Sequence, residues 1–363
     1  MTNDAMADGT PISRRRLLKS TAGVSAAGLA GIAGCTGGGS GSGSGGGSGG
    51  GLDEIRVAYM PIYPDMQYFV MDQEGYFDEL SATVEGEVFS DGPSIVQASA
   101  TGDFDVMMFG IVPAMIVMDK GIPSKITAAN IQNAMQILAH DDFAAIWEDA
   151  SSGAEAFARF EEERGRKFKF GTFPPGSVPD ILLRYWLAEI VGVDPETDVN
   201  ITALGGAGPV RQALLAGEID GTSIMEPVPT IAEVKGAPYQ SIAWAGDFMP
   251  GQPAAVTLMH DRLREDNPEQ ARAFVGQHQR ATTFAEENPD KAAKDASAVI
   301  GESSLPVEIA RKAMDSRASD FITDPHKIAD GAQIFSEYAA RLGKISKPLS
   351  NDAMFDFGVY DSL

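Results

Sequence analysis

The sequence predicts an α/β protein with two lobes of similar topology. From Ile55 onward, short apolar strands alternate with amphipathic helices through short loops, which is typical of α/β sheets. The same construction starts again at Lys169. One segment occurs twice: Gln97–Asp105 resembles Gln212–Asp220, and each copy follows a Gly-Pro pair. The length of 363 residues also favours more than one domain.

The first lobe is predicted from elements whose ends carry clear signals. Proline just inside the start of a helix and glycine just past its end mark most boundaries. The predicted strands are Ile55–Tyr59, Ala82–Phe89, Asp105–Phe109 and Lys125–Ala129. The predicted helices are Gln67–Asp72, Pro93–Ala100 and Pro113–Met118. We expect the strands to form a parallel sheet.

The second lobe repeats this pattern, and the chain then becomes helical. Its predicted strands are Lys169–Thr172, Asn200–Leu204 and Ile219–Ile224. Its predicted helices are Val178–Val191 and Pro209–Ala216. From Asp266 onward, Asn-Pro pairs begin successive helices. We expect this helical C-terminal region to pack on the first lobe.

Residues 1–34 resemble an export signal. Ser13–Lys19 matches the twin-arginine pattern, and the small-residue apolar stretch behind it is too short to span a membrane as a helix. Ile32–Cys35 is similar to a lipobox, in which the cysteine is alkylated by a diacylglycerol and becomes the mature N-terminus. The sequence therefore predicts a lipid anchor on Cys35, with a chance cysteine as the alternative.

Residues 35–51 are almost pure glycine and serine after Cys35, which is typical of a flexible tether. The tether matches GxGxxG at Gly41–Gly46 and GxSxG at Gly46–Gly50. Both motifs need a strand before them and a helix after them, and neither has that context. We assign no chemistry to them.

The charge balance excludes some partners. The chain has 28 Lys and Arg against 51 Asp and Glu, a net charge of −23. Nucleic acid is an unexpected partner, because a polyanion needs a basic surface. Acid spread along the whole chain is typical of proteins from high-salt environments, where screening reduces self-repulsion. The single cysteine excludes an intramolecular disulfide framework and a Cys-based zinc site.

The sequence offers no catalytic signature. It contains no Walker A, HExxH, CxxC or kinase motif, and its four histidines do not have metal-ligand spacing. His140-Asp141-Asp142 is interpreted as a solvated strand end, and His278 as a hydrogen-bonded edge of the core. We therefore predict a binding protein that is not an enzyme and has no cofactor or metal.

Binding residues are expected in loops that follow the strands. In open α/β sheets, ligands gather outside the carboxyl ends of the strands, where helix N-termini offer free N–H groups. The candidate loops are Met60–Tyr63, Ser90–Pro93, Gly110–Pro113, Phe173–Val178, Gly205–Pro209 and Met225–Pro227. Each loop alone could be only a turn or a helix cap, but together they predict a cleft between the lobes.

The loops and their order resemble the solute-binding proteins of ABC transporters in the nitrate/sulfonate/taurine/bicarbonate group, which is related to thiamine-pyrimidine-binding proteins. The resemblance covers Glu54 to the C-terminus. Its landmarks are Val57–Pro61, Glu74–Phe77, Gly102–Asp105, Gly121–Pro123, Gly217–Asp220, Glu226-Pro227, Asn267-Pro268 and Asn288-Pro289.

The resemblance implies a monomeric, two-lobed periplasmic-binding-protein-like (type II) fold with two hinge strands. Lobe I would comprise residues 52–133 and 260–363, and lobe II residues 134–259. The hinge crossings are expected near Ala134–Trp147 and Ala254–His260. The protein would lie on the outer face of the cell membrane, anchored through Cys35, and would deliver its solute to a permease and its ATPase.

Ligand contacts carried over from the family fall at the ends of strands. They are Tyr63, Ser90 with Asp91, Gly110, Asn130, Ser177, Gly206 and Glu226. None of these loops contains Arg or Lys, which departs from what an anion site would use, and Glu226 would repel a simple anion. We therefore expect a small anionic or zwitterionic solute, and a zwitterion or an aminopyrimidine fits Glu226 better than nitrate.

Two other functions remain open. A pyrimidine-precursor binding protein or an enzyme of the same fold is one, although that enzyme branch uses a histidine and a Cys-rich motif and the only cysteine here is in the lipobox. A ligand-sensing receptor is the other, and a neighbouring permease and ATPase gene would favour transport over sensing.

Overall fold

The structure is a computed structural model, and it describes residues 51–363. The signal peptide and Cys35 lie outside these residues, as does nearly all of the tether. The strands are β1 (Glu54–Tyr59), β2 (Thr83–Val88), β3 (Val106–Gly110), β4 (Ser124–Gln132), β5 (Met135–His140), β6 (Lys169–Thr172), β7 (Asn200–Ala203), β8 (Gly221–Met225), β9 (Tyr239–Trp244), β10 (Pro253–His260) and β11 (Asp320–Phe321).

Helices connect and cover these strands. They are α1 (Met66–Gln73), α2 (Gly92–Ala98), α3 (Ile111–Asp119), α4 (Asp141–Asp149), α5 (Gly153–Arg164), α6 (Val178–Tyr185), α7 (Ala207–Leu215), α8 (Val228–Val234), α9 (Ala245–Phe248), α10 (Asp261–Arg264), α11 (Pro268–Glu287), α12 (Pro289–Ile300), α13 (Val307–Met314), α14 (Ala329–Arg341), α15 (Asn351–Met354) and α16 (Phe357–Asp361). A π-helical turn, Trp186–Val191, continues α6. No helix in this part of the chain is both long and apolar enough to cross a membrane.

The strands form two mixed sheets, and each sheet is the centre of one lobe. The first has the order β11-β4-β10-β3-β1-β2 and the second the order β7-β6-β8-β5-β9. Each sheet contains three mutually parallel strands, which are β1, β2 and β3 in the first and β6, β7 and β8 in the second. An antiparallel strand pairs with each set: β10 with β3, and β5 with β8. The two-lobed α/β class is confirmed, whereas the expectation of purely parallel sheets is wrong.

The repeated segment occupies equivalent places in the two lobes. Gln97–Asp105 runs from α2 into β3, and Gln212–Asp220 runs from α7 into β8, so each leads into the third parallel strand of its sheet. Gly102 and Gly217, which end these two connections, have φ angles of 73° and 68°. Glycine adopts this left-handed conformation without a steric penalty. The repeat therefore marks a shared topology.

The chain crosses between the sheets twice, and Asn133 joins both crossings. The first crossing is Asn133-Ala134, between β4 and β5, and the second is the segment 245–252, between β9 and β10. The Asn133 carbonyl accepts a hydrogen bond from Trp244 Nε1 at 2.7 Å, and its Oδ1 accepts one from the Gly251 N–H at 2.9 Å. The expected crossing at Ala254–His260 is wrong. That segment is β10, which pairs with β3 and β4 and so belongs to the first sheet.

The C-terminal helices contact both lobes. Helices α11 and α12 pack on α1 of lobe I as expected. Helix α13 also reaches α8, and α14 lies between α3 and α6. The hydroxyl of Tyr338 on α14 donates to the Arg184 carbonyl of lobe II at 3.0 Å. The C-terminal region therefore packs on lobe I, as predicted, and also contacts lobe II.

The apolar core continues from one lobe to the other. Val178, Ile181 and Leu182 on α6 are buried in the same cluster as Phe109 and Met115 of lobe I. Lobe II also has a separate aromatic cluster around Phe143. It packs side chains of β5 and β6 against helices α4, α5 and α6. The lobes are thus in contact along one face of the cleft.

Candidate ligand-binding cleft

Two adjoining chambers lie between the lobes, where the strands of both sheets end, and a third cavity of about 470 Å³ shares Glu226 with the larger of them. We call the smaller one, with a volume of about 40 Å³, the apolar chamber, because Met60, Phe173 and Val178 with several prolines form most of its wall. The larger one, of about 410 Å³, we call the polar chamber. Ile62, Pro64, Asp91 and Met225 line both chambers, so the two adjoin.

Most of the sequence-predicted residues line these chambers. Tyr63, Ser90, Asp91, Gly206 and Glu226 line the polar chamber. Gly110 and Ser177 line the apolar chamber, together with Asp91. They meet because each follows the carboxyl end of a strand, and parallel neighbours bring these ends to one edge of a sheet. Residues of both lobes therefore face a common space.

Asn130 is the exception. It lies within β4, is completely buried, and lines neither chamber. Its Nδ2 donates to Asp65 Oδ1 at 2.8 Å, and its Oδ1 accepts from the Thr257 hydroxyl at 2.8 Å. All its side-chain contacts are with other buried groups of lobe I, including His278. The assignment of Asn130 as a ligand contact is therefore replaced by a role in the core of lobe I.

Three helix N-termini face the apolar chamber, but few of their N–H groups are free. Pro93, Pro113 and Pro179 each remove one donor from a first turn. The Ser94 N–H of α2 is already bound by the Asp91 carboxylate at 2.8 Å. In α6 the Asp180 N–H is directed at Ser177 Oγ at 3.4 Å. This chamber therefore suits an apolar group better than an anion.

Helix α7 begins differently. Its N-cap residue, Gly206, has no side chain to accept from the first turn, and Ala207 and Gly208 follow it at the wall of the polar chamber. Arg211, one turn further along α7, lines the same chamber. Its Nη1 donates to the Ser304 carbonyl at 2.5 Å. Sequence reasoning missed Arg211, because it inspected the loops and stopped at the helix start.

The polar chamber contains two carboxyl groups of different character. Burial acts to raise the pKa of Asp91, but hydrogen bonds from Ser94 and Ser90 outweigh it and hold this pKa below its usual value. Burial raises the pKa of Glu226, which is only 3% exposed. Its oxygens accept from Gln136 Nε2 at 3.4 Å and from the Thr230 N–H at 3.2 Å. Asp91 is thus anionic, and Glu226 is a weakly solvated carboxyl.

Other polar residues predicted from the sequence have structural roles. Tyr63 is buried at the chamber wall, and its hydroxyl accepts from Ser319 Oγ at 3.3 Å. His140 caps α4 by accepting from the Asp142 N–H at 3.2 Å. Within residues 51–363, no group of three or more His, Cys, Asp or Glu side chains could hold a metal ion. The chambers can therefore hold a ligand through charge, hydroxyl groups and apolar contact.

Comparisons with known proteins agree with this architecture. The nitrate-binding protein NrtA from Synechocystis PCC 6803 superposes with a TM-score of 0.68 at 16% identity, covering 86% of this chain and 88% of that one. The alkanesulfonate-binding protein SsuA from Xanthomonas axonopodis pv. citri, bound to MOPS, gives a TM-score of 0.64 at 16% identity, with 84% and 99% covered. The aliphatic sulphonate-binding protein SsuA from Escherichia coli gives 0.67 at 16% identity, with 85% and 99% covered. These similarities confirm the periplasmic-binding-protein-like fold.

Sequence comparison gives one curated relative and one family match. The nitrate import ATP-binding protein NrtC of Synechococcus elongatus is 25% identical over 227 residues, 61% of this chain. The matched part is about a third of that protein, since it covers 33% of its length. The family description "NMT1-like family" matches residues 49–301, which is more than half of the chain. The chain therefore belongs to the NMT1-like family.

Proposed function

We propose that this protein captures a small solute in the cleft and delivers it to the permease of an ABC importer, which an ATPase drives. The observation that carries the proposal is the polar chamber, whose wall comes from loops of both lobes, so that a ligand there would contact both. The family and the similarity to nitrate- and sulfonate-binding proteins support it. The solute is small and either anionic or zwitterionic.

We propose binding rather than catalysis. The residues that line the two chambers, within the part of the chain that the structure describes, include neither histidine nor cysteine. These are the side chains that most often transfer protons or attack carbonyl groups near neutral pH. The carboxyls present, Asp91 and Glu226, already accept hydrogen bonds from backbone and side-chain groups. The chamber wall is therefore suited to holding a solute.

A thermal-shift screen of the full-length protein tests the proposal. A ligand at 100 times its Kd stabilises the folded state by about 2.7 kcal/mol, so a binder raises the melting temperature clearly. Gly206→Trp should abolish the shift. A Cβ at Gly206 would lie 3.9 Å from its nearest neighbour, the Ser90 carbonyl oxygen, so the backbone tolerates the change while the indole fills the chamber.

The matched control is Ala216→Trp, an exposed position just past the end of α7. It should bind like the wild type. Failure of every anion and zwitterion in the screen to shift the wild-type protein would contradict the proposed function. A shift that survives in Gly206→Trp would place the solute elsewhere.

We further propose that the chain is a monomer whose lobes are residues 52–133 with 253–363, and residues 134–252. The lobe boundary at 253 follows the pairing of β10 in the first sheet. The lobes would rotate about Asn133-Ala134 and the segment 245–252. Sedimentation and small-angle scattering with and without a bound solute would test both statements, since closure reduces the radius of gyration and a monomer keeps its mass.

Membrane attachment is proposed from the sequence around Cys35. The lipid on Cys35 would hold the protein at the outer face of the cell membrane, with the Gly/Ser segment up to residue 51 as the tether. The wild-type protein should fractionate with membranes, and Cys35→Ala should not. Equal recovery of both forms in the membrane fraction would exclude the anchor. Replacing Arg14 and Arg15 by lysine should separately block export.

A further inference from the structure

Arg211 stands out among the arginines of the described residues. Eleven of the thirteen arginines in residues 51–363 lie within 4.0 Å of a carboxylate, and Arg211 and Arg272 are the two that do not. Arg272 is exposed, whereas Arg211 is half-buried at the wall of the polar chamber. The chain has 51 acidic and 28 basic residues, so a half-buried arginine without an acidic partner among the described residues is unusual in it.

The present partner of Arg211 uses little of its binding capacity. A guanidinium has five N–H donors and binds carboxylates and related oxyanions through two parallel hydrogen bonds. Here only Nη1 donates, and its acceptor is the neutral Ser304 carbonyl. The remaining donors of the guanidinium are available to an anionic group inside the chamber.

Glu226 lines the same chamber and would bind a cationic group, whereas Arg211 would bind an anionic one. It is 3% exposed, and its oxygens accept from Gln136 Nε2 at 3.4 Å and from the Thr230 N–H at 3.2 Å. The hydroxyls of Ser316 and Thr230 also donate to it, and none of these donors carries a charge. An ionised carboxylate has about four acceptor sites, and a buried one is stable only when charged or strongly polar donors fill them. A cationic nitrogen in the chamber would supply such donors. Asp91, whose pKa is held below its usual value by hydrogen bonds, lines the same chamber and contributes a negative charge.

We propose that the cleft is specific for zwitterions, with Arg211 binding the anionic group of the solute and Glu226 binding its cationic nitrogen. The inference rests on the proposed function, since it assigns the charge class of the solute in the same cleft. Two acidic residues and one arginine line the chamber, so a cationic group on the solute would balance the excess of acid, which a simple anion such as nitrate cannot do. The adjoining apolar chamber would contact the uncharged, apolar part of the solute.

The test begins with a charge-sorted screen. The full-length protein is screened by thermal shift against three sets of small solutes of matched size: simple anions, simple cations and zwitterions. The proposal expects binders among the zwitterions only. Titration calorimetry then compares a zwitterion that binds with its two truncated analogues, one without the cationic nitrogen and one without the anionic group. Each analogue should bind roughly ten- to a hundredfold more weakly, as expected for a lost charge-assisted hydrogen bond.

Two variants test which residue binds which charged group of the solute. Arg211→Gln should weaken the zwitterion roughly ten- to a hundredfold and should not affect the analogue that lacks the anionic group. Glu226→Gln should weaken the zwitterion to a similar extent and tighten the analogue that lacks the cationic nitrogen. Arg272→Gln and Glu218→Gln are the matched controls, because both residues are exposed, form no ion pair and lie outside the chambers.

The outcomes distinguish failure of the zwitterion assignment from failure of the solute-binding function. Binding by simple anions alone, or a zwitterion whose affinity neither variant changes, would overturn the zwitterion assignment and leave the solute-binding function intact. Binding by simple cations alone would overturn the role of Arg211. Failure of all three sets would overturn the solute-binding function and this inference with it. Circular dichroism of each variant checks that the fold is retained, and Glu226→Asp, which keeps the charge, provides a second measurement if Glu226→Gln unfolds.

Discussion

Two titratable side chains, Asp65 and His278, are completely buried in lobe I. They are linked through Asn130, whose amide donates to Asp65 at 2.8 Å and whose Oδ1 lies 3.1 Å from His278 Nε2. Burial raises the pKa of Asp65 to about 8, against the lowering effect of its bonds to Asn130 and the Met60 backbone. Burial lowers the pKa of His278 to about 3. Both groups are therefore neutral in the folded protein at neutral pH.

The pH dependence of stability should show the protonated Asp65. In the unfolded chain its pKa is near the ordinary value of 3.8, and in the folded protein it is about 8. Between these values the unfolded state binds fewer protons at this site, so the contribution of Asp65 to stability falls as pH rises from about 4 to about 8. Asp65→Asn removes this loss. The stability of Asp65→Asn relative to the wild type should therefore increase between pH 5 and pH 8.

Urea unfolding at several pH values measures the difference. Asp78→Asn is the control, because it makes the same substitution at an exposed position on the same lobe. A difference between Asp65→Asn and wild type that does not change with pH would mean that Asp65 is ionised in the folded protein.

At the scale of a single element, the start of α2 shows how one loop residue serves the helix and the cleft together. Asp91, not Ser90, is the N-cap: its Oδ1 accepts from the Ser94 N–H at 2.8 Å and from the Ser94 hydroxyl at 2.7 Å. The Ser90 hydroxyl donates to the other carboxylate oxygen at 3.1 Å. Ser90 therefore supports the capping carboxylate and is not itself the N-cap.

Substitutions at this helix start should differ in their effect on stability. Asp91→Ala should destabilise the protein by about 0.5–2 kcal/mol, because the cap and its favourable charge at the helix N-terminus are both lost. Ser90→Ala should have a much smaller effect, since the capping bonds remain. The free energies of unfolding from urea titrations provide the comparison. Equal destabilisation by the two substitutions would contradict the assignment of Asp91 as the cap.

At the scale of the whole molecule, the C-terminal helices link the lobes by ion pairs. Lys312 on α13 lies 2.7 Å from Glu233, and Arg341 on α14 pairs with Glu189. Arg317 lies 3.7 Å from Asp247 and over the ring of Trp244. All three bridges run from the C-terminal region to lobe II. Each exposed pair contributes roughly 0–1 kcal/mol, so their sum can shift the balance between open and closed forms without locking it.

Removing these bridges together should open the cleft. The triple variant Lys312→Gln, Arg317→Gln, Arg341→Gln is expected to have a larger radius of gyration than the wild type without solute. Arg159→Gln with Arg280→Gln is the control, because those arginines pair with Asp149 and Glu79 inside one lobe. Small-angle scattering that gives the same radius for the triple variant and the wild type would show that the bridges do not hold the lobes together.

The net charge of −23 leads to a second expectation at this scale. Self-repulsion among the acidic residues is screened over about 10 Å at 0.1 M salt and about 3 Å at 1 M. The melting temperature should therefore rise between 0.1 and 2 M KCl, although the same salt weakens the exposed ion pairs. A melting temperature that stays constant or falls would show that attraction between opposite charges outweighs repulsion in this protein.

Local signals in the sequence account for most of the elements and for the place of the cleft. Prolines and glycines mark helix boundaries because their backbone preferences act within a few residues, as Gly102 and Gly217 show. The candidate loops follow the strands directly, so the periodicity that predicts a strand also places the loop after it. Seven of the eight predicted ligand-site residues consequently line one of the two chambers.

Contacts between distant segments decided the sheet to which β10 belongs, the burial of Asn130 and the surroundings of Arg211. No local pattern distinguishes β10 as a member of the first sheet, because its partners β3 and β4 lie more than a hundred residues away in the chain. Asn130 was placed at the cleft by resemblance, whereas Asp65, Thr257 and His278 surround it in the core. That Arg211 has no carboxylate within 4.0 Å among the described residues can be seen only in the tertiary structure. Local conformational preference thus determined the elements and the loops, and the packing of distant segments decided which side chains are buried and which line the chambers.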